Sequence, residues 1–254
     1  MSIKISGFQV GAPSGIPQYG TVPTYNSIGL GSNESGTGLV QVTYSAPAGS
    51  TSICFVSADK SNGAGEGFIS GWTNIDQVNN NGAEWWEYLW VSASPNGSSM
   101  TNEIATSVGN LDGNWIGIIE SINGNGISGP PSPSSTFQDY GTDYGNTSIC
   151  NFEINDGEFM ILFSGAEGHD YIGGEIVSVT SESGLVWTKK SSRSNNKSPS
   201  GDPTLYQTSD IWYTKNQTGN TITDVATITF AGNFDDQSTS ITTWTGVDLT
   251  SPWA

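Results

Sequence analysis

The chain has 254 residues, enough for one large β domain or two of ordinary size, and sets seven basic against twenty-four acidic side chains, a net charge of −17. Such a chain would be repelled by phosphate backbones and anionic lipid, so neither nucleic-acid binding nor membrane insertion is expected. With 33 Gly, only 12% charged residues and few strong helix formers, it predicts many short strands joined by polar turns, while nine Trp, nine Tyr and nine Phe predict a thin, aromatic core.

The first 37 residues are rich in Gly and Pro, with isolated apolar side chains. The opening "MSIKISGFQVGAPSG" lacks a charged region followed by a long apolar run, and no stretch approaches about 18 apolar residues, so neither a secretory signal nor a membrane-spanning helix is expected. Alone, this segment would not fold. Phe8, Val10, Ile16, Tyr19, Tyr25 and Ile28 are instead spaced as anchors of an extended arm (1–37) that docks on another surface.

From there the apolar pattern has period 2, the mark of strands. A first series runs through "SICFVSA" (52–58), "GWTNIDQV" (71–78), "EWWEYLWVSAS" (84–94), "NEIATSVGN" (102–110) and "NWIGIIESI" (114–122). In "EWWEYLW", Trp86, Tyr88 and Trp90 share one face and Trp85, Glu87 and Leu89 the other, so an aromatic on one of them is a candidate to point outward and stack on a sugar ring or a partner. After this series, "GISGPPSPSSTFQDYGTDYGN" (126–146) carries Pro-Pro and Ser-Pro and reads as a linker.

A second series comes next in the same order: "GEFMILFSGA" (157–166), "GLVWTKKSS" (184–192), "TLYQTSDIWYT" (204–214), "ITDVATITFAGN" (222–233) and "STSITTWTGVD" (238–248). Between the series, "EIATSVGN" matches "DVATITFAGN", "LWVSAS" matches "IWYTKN", and the pair Trp72-Thr73 matches Trp187-Thr188. The separation grows from about 107 residues at the first strands to 125 at the last, where Ile119 is matched with Trp244, as loop insertions in a second copy would produce. Trp212 and Tyr213 then repeat the aromatic feature of Trp85, Trp86 and Trp90. The expected architecture is all-β: an arm (1–37), a first antiparallel sandwich (38–128), a linker (129–146) and a second sandwich (147–254), of jelly-roll or immunoglobulin-like type.

Chemistry is sparse. Cys54 and Cys150, in the similar words "TSICFV" and "TSICNF", are too few for a disulfide scaffold and are expected to be buried free thiols, each at the same place in its own copy. The single histidine, His169, stands in a loop beside acidic residues without a recognisable nucleophile. Carboxylate pairs drawn from Glu84, Glu87 and Glu120 would serve glycoside hydrolysis only if they converged in a cleft. The words "NLDGN" (110–114), "DYGTDYG" (139–145) and "NFDDQ" (233–237) place oxygen ligands near glycines, but none has calcium-loop spacing, and Asp, Asn and Gly are turn formers in their own right. No catalytic residue, metal site or cofactor is therefore expected. Asn-x-Ser/Thr triplets at Asn96 and Asn216 carry little information in a chain this rich in Asn and Ser.

An acidic Gly/Ser/Thr/Asn-rich chain with doubled β modules closing on "WTGVDLTSP" resembles virion surface proteins of tailed bacteriophages, and also β-sandwich modules of bacterial secreted proteins that end on a similar phrase. The resemblance implies a non-enzymatic structural protein assembled in the host cytoplasm and displayed on the virion surface. It would serve as a capsid decoration or cement protein or as a tail adhesin, with capsid or tail proteins as partners. A symmetric homo-oligomer such as a trimer is part of that expectation. A host-surface glycan is the partner implied by the adhesin alternative.

Overall fold

The computed structural model describes residues 38–45, 50–59, 67–69, 72–79, 85–92, 99–106, 115–125, 131–141, 145–168, 174–195 and 206–253. The arm anchors Phe8, Val10, Ile16, Tyr19, Tyr25 and Ile28 lie outside the described residues, as does His169. The described region is all-β and antiparallel, the class the composition predicts, with no helix among the described residues.

Fourteen strands occur among the described residues: β1 (Gly38–Ser45), β2 (Ser50–Asp59), β3 (Gly67–Ile69), β4 (Trp72–Asn79), β5 (Trp85–Ser92), β6 (Ser99–Thr106), β7 (Trp115–Asn123), β8 (Ser132–Gly141), β9 (Gly145–Ile154), β10 (Phe159–Gly168), β11 (Ile176–Ser181), β12 (Thr188–Asn195), β13 (Tyr206–Lys215) and β14 (Ile222–Thr245). They form a three-stranded sheet β1-β6-β3, a four-stranded sheet β4-β5-β2-β7 and a seven-stranded sheet in which β11, β10, β8 and β9 all pair with the long β14.

The four-stranded sheet and part of the large one are built alike. The order β4-β5-β2-β7 recurs as β12-β13-β10-β14. Cys54 lies between Trp90 and Ile119, as Leu162 lies between Trp212 and Ile241. A bulge comes after Asn74 where it faces Trp90, and another after Lys189 where it faces Trp212. A shared irregularity at one ladder position is a more demanding match than shared composition. Correspondence is thus fixed residue by residue: Cys54 with Leu162, Phe55 with Phe163, Trp72 with Trp187, and Trp90 with Trp212. Ile122, facing Thr51, corresponds to Trp244, facing Phe159. Two expectations are corrected by this register. Ile119 corresponds to Ile241, three residues short of Trp244, and Cys150, which faces Ala226 on β14, sits on β9 rather than on the strand equivalent to that of Cys54. The central strand β6 of the three-stranded sheet is matched by the first part of β14, flanked by β9 and β11.

Alternation along β10 explains where the core sits. Phe159, Ile161 and Phe163 point to one side, Met160 and Leu162 to the other, and all five are buried. A strand covered on both faces reads as an unbroken apolar run, which "FMILF" is. On one side, Met160 and Leu162 join Cys150, Phe152, Ile154, Trp187, Trp212 and Ile228 in a core within the second half. On the other, Phe159, Ile161, Phe163 and Trp244 pack with Ile53, Phe55, Ile118 and Ile122 of the first half. The corresponding residues Phe55 and Phe163 touch, with ring centroids 5.0 Å apart. The two four-stranded arrays therefore meet through equivalent faces, as the subunits of a two-fold dimer do.

The stretch 129–146 contains β8 and the beginning of β9, so most of the expected linker is strand. Side-chain pattern could not reveal it, because residues 132–136 are exposed and β8 is held through its backbone to β14. Pro133 is accommodated beside a register shift at Thr243/Trp244, as proline on a sheet edge requires. Ser134 adds side-chain bonds, donating from Oγ to Glu158 Oε1 (2.9 Å) and sharing a 2.6 Å bond with Thr243 Oγ1.

The segment after β14 makes the reverse connection. Asn123 N–H donates to Pro252 O, Asp248 N–H to Asn123 O and Asn125 N–H to Gly246 O, so residues 246–253 run along the end of β7. Asn123 Nδ2 donates to the carbonyls of Ser251 and Trp253, both at 3.0 Å. The two arrays thus exchange their trailing segments: β8, which succeeds the first array in the chain, pairs with the second, and residues 246–253, which succeed the second, pair with the first.

Candidate functional site

Of the aromatic residues expected on an outer shelf, the two on β13 are used internally. Trp212 is 8% exposed and belongs to the core of the second half, while Tyr213 packs with Phe159 and Trp253, ring centroids 5.3–5.5 Å apart. The expectation failed because both faces of β13 are packed at this point, Trp212 into the core of the second half and Ile211 and Tyr213 into the cluster between the halves. Lys190 Nζ lies 4.9 Å above the Trp253 ring and 3.6 Å from Glu120 Oε2, which places one carboxylate of the suggested glycosidase set in an ion pair between the two halves. Trp85, Trp86 and Trp90 lie on β5, with Trp90 at the position corresponding to Trp212; their side chains lie outside the described residues.

At one end of the large sheet the sequence turns from apolar to polar on three neighbouring strands at once. β10 continues from Phe163 into Ser164, β13 carries Thr208, Ser209 and Asp210, and β14 carries Gln237 to Ser240, with Ser164 facing both Asp210 and Thr239. All of these side chains are buried. Thr239 Oγ1 donates to Ser164 Oγ (2.9 Å), Ser164 Oγ to Ser238 O (2.9 Å) and Gln237 Nε2 to Ser148 Oγ (3.1 Å), so the strands are stitched by hydroxyls and amides instead of methyl groups.

Asp210 is the charged member of this region, and its side chain is fully buried. Its Oδ2 accepts the Ile176 N–H at 2.7 Å, and its Oδ1 lies 3.3 Å from Lys189 Nζ. Burial pushes its carboxyl above the ordinary carboxylate range, an effect that the charge of Lys189 and hydrogen bonds from Ser192 and Ile176 offset only in part. Lys189 Nζ also donates to Glu175 Oε1 at 3.2 Å and lies 5.3 Å from the centre of the Trp212 ring. An amine is thus flanked by one buried and one exposed carboxyl group beside an aromatic wall. Sequence reading missed the trio because its members are 14 and 21 residues apart and belong to no motif; the pairing of β12 with β13 brings Lys189 to Asp210, and Glu175 joins them from the residue before β11, whose Ile176 N–H bonds Asp210.

No group of three or more His, Cys, Asp or Glu placed to hold a metal occurs among the described residues. "NFDDQ" is not a turn, since its residues continue β14. Asn216 is buried, donating from Nδ2 to Ile154 O and Asn220 O and accepting at Oδ1 from Thr218, so its triplet serves a loop and is closed to a glycan. Cys54 and Cys150 are both free and buried, as expected. No protein-family model matches the chain, and neither a curated protein nor a solved structure matches it.

Proposed function

We propose that the chain is a non-enzymatic structural protein of a bacteriophage virion surface, of the capsid decoration or cement kind, with residues 1–37 docking on the particle and the β region facing outward. The observation that carries this reading is the investment of aromatic and ionisable groups in joining two equivalent sheets, through Phe55 against Phe163 and the Lys190–Glu120 pair. Strong acidity supports it too, because a net charge of −17 keeps a protein displayed in many copies soluble. Attachment would come from many small contacts of the arm, multiplied by a symmetric oligomer. The partners are then capsid or tail proteins.

Co-sedimentation of the full-length protein, and of a version lacking residues 1–37, with virions stripped of their own copy tests the proposal. Binding by the full-length protein alone is the expected result. Failure of both, with retention of the full-length protein on host cells or cell-wall polysaccharide, would replace decoration by glycan adhesion. In that event β5, with Trp85, Trp86 and Trp90, is the place to search, since Trp212 and Tyr213 are occupied in packing.

A further inference from the structure

We propose that Lys189 and Asp210 become joined in the folded protein by a side-chain amide, formed by the chain itself with Glu175 moving the proton. Such a bond does not depend on the virion reading. Lys189 Nζ sits 3.3 Å from Asp210 Oδ1 and 3.2 Å from Glu175 Oε1, so nucleophile, acyl group and base already meet at one nitrogen. The nitrogen thus lies beside the carboxyl group whose carbon it would attack, and groups held together in this way behave as if present at very high local concentration, which is what a condensation without prior activation requires.

Three features separate this arrangement from an ordinary surface ion pair. Asp210 has no side-chain exposure, and its second oxygen is fixed by the Ile176 N–H, so the carboxyl plane cannot turn away. The Trp212 ring lies beside the amine and keeps water from solvating it fully. Glu175, with 54% of its side chain exposed, is open to solvent and can exchange protons. A buried ion pair is costly to desolvate, whereas the amide that replaces it is neutral. Burial also favours the uncharged acid form of Asp210, the form that a nitrogen can attack.

The step balances. Glu175 takes a proton from the Lys189 ammonium and passes it to the Asp210 carboxylate, and the free amine attacks Cγ of the acid so formed. A C–N bond forms, Glu175 carries a second proton from the nitrogen to the departing hydroxyl, and the C–O bond breaks to release water. Ammonium and carboxylate have become amide and water, with no oxidant or reductant consumed. The bond would tie β12, at the end of the strand order, to β13 beside it. The first array holds Asn74 and Tyr88 at the positions corresponding to Lys189 and Asp210, so the chemistry belongs to the second half alone.

Intact mass of the natively purified full-length protein tests the proposal, alongside Lys189→Ala, Asp210→Ala and Glu175→Gln. The wild-type chain is expected to be lighter than its sequence by one water, with the peptides carrying residues 189 and 210 still joined after digestion in denaturant, and each variant to have its full mass. Because truncating a fully buried side chain can prevent folding, Asp210→Asn is the conservative variant, expected to lose ammonia in place of water. A wild-type chain at full mass overturns the proposal, as does a loss of water that persists in Lys189→Ala. Bond formation in Glu175→Gln at the wild-type rate would remove Glu175 from it.

Discussion

Phe55 and Phe163 occupy the same position on β2 and β10, and their rings meet at 5.0 Å with planes inclined by 46°. Both are essentially inaccessible to solvent. Truncating either to Ala is expected to cost about 3–5 kcal/mol, because the cavity lies between two sheets that cannot close independently. The double variant should cost less than the two single losses combined, since each ring is the other's neighbour. Urea unfolding of the three variants measures this. If the halves were energetically separate, two transitions would replace one.

Trp253 caps the aromatic group of Phe159 and Tyr213, and Asn123 holds the backbone around it. Trp253→Ala should cost about 2–4 kcal/mol, somewhat below the range for a fully enclosed aromatic because the ring is only partly covered. Asn123→Ala should cost about 1–2 kcal/mol through two lost donors to carbonyls. Thermal melts monitored by near-ultraviolet circular dichroism would report both, since the ring contacts give that signal its asymmetry.

Neither thiol should react in the native protein. Cys54 is wholly enclosed, and burial pushes its thiol far above the ordinary value, leaving almost no thiolate. Cys150 is equally inaccessible, in the core of the second half. A thiol-specific reagent should therefore count no cysteines before denaturation and two after it. Reaction of one in native buffer would show that a core opens locally.

Asp224 governs a pH effect. Its Oδ2 accepts the Ser183 N–H and its Oδ1 the Val225 N–H, both at 2.7 Å. Partial burial raises its carboxyl, but hydrogen bonds from Ser183, Val225 and Glu182 together outweigh that and hold it below the ordinary range. A carboxyl lowered by folding contributes stability above its unfolded pKa, and that contribution is lost as the pH falls through the folded value. Asp224→Asn should therefore be less stable than wild type at neutral pH by on the order of 0.5–1 kcal/mol, after allowance for solvent screening. The gap should vanish in acid, which urea midpoints at the two pH values would show.

Residue pattern carried the fold class and many of the strands because burial leaves a trace in side-chain alternation. Trp72 with Trp187 and Trp90 with Trp212 could be matched from local words alone, and the register agrees. Ile119 and Trp244 close similar phrases yet stand three positions apart on the ladder, and the residue equivalent to Trp244 is Ile122, whose different size hides the match. "TSIC" misled for the same reason: a shared word does not fix a shared strand. β8 escaped because an edge strand of exposed Ser, Pro and Thr is specified by its backbone partner, which no local pattern encodes. The Lys189, Asp210 and Glu175 grouping was invisible for a related reason, since it exists only across a ladder of paired strands.

The crossed pairing of β8 with β14 and of residues 246–253 with β7 sets an order of events during synthesis. When β7 leaves the ribosome, the backbone that will lie along its end has yet to be made, and at about 5–20 residues per second that wait is roughly ten seconds. β8 waits in the same way for β14. For that interval the nascent chain carries exposed strand edges, the surfaces most apt to pair with a neighbouring nascent chain on the same messenger. Slow translation of the second half would thus lower the yield of folded protein more than slow translation of the first.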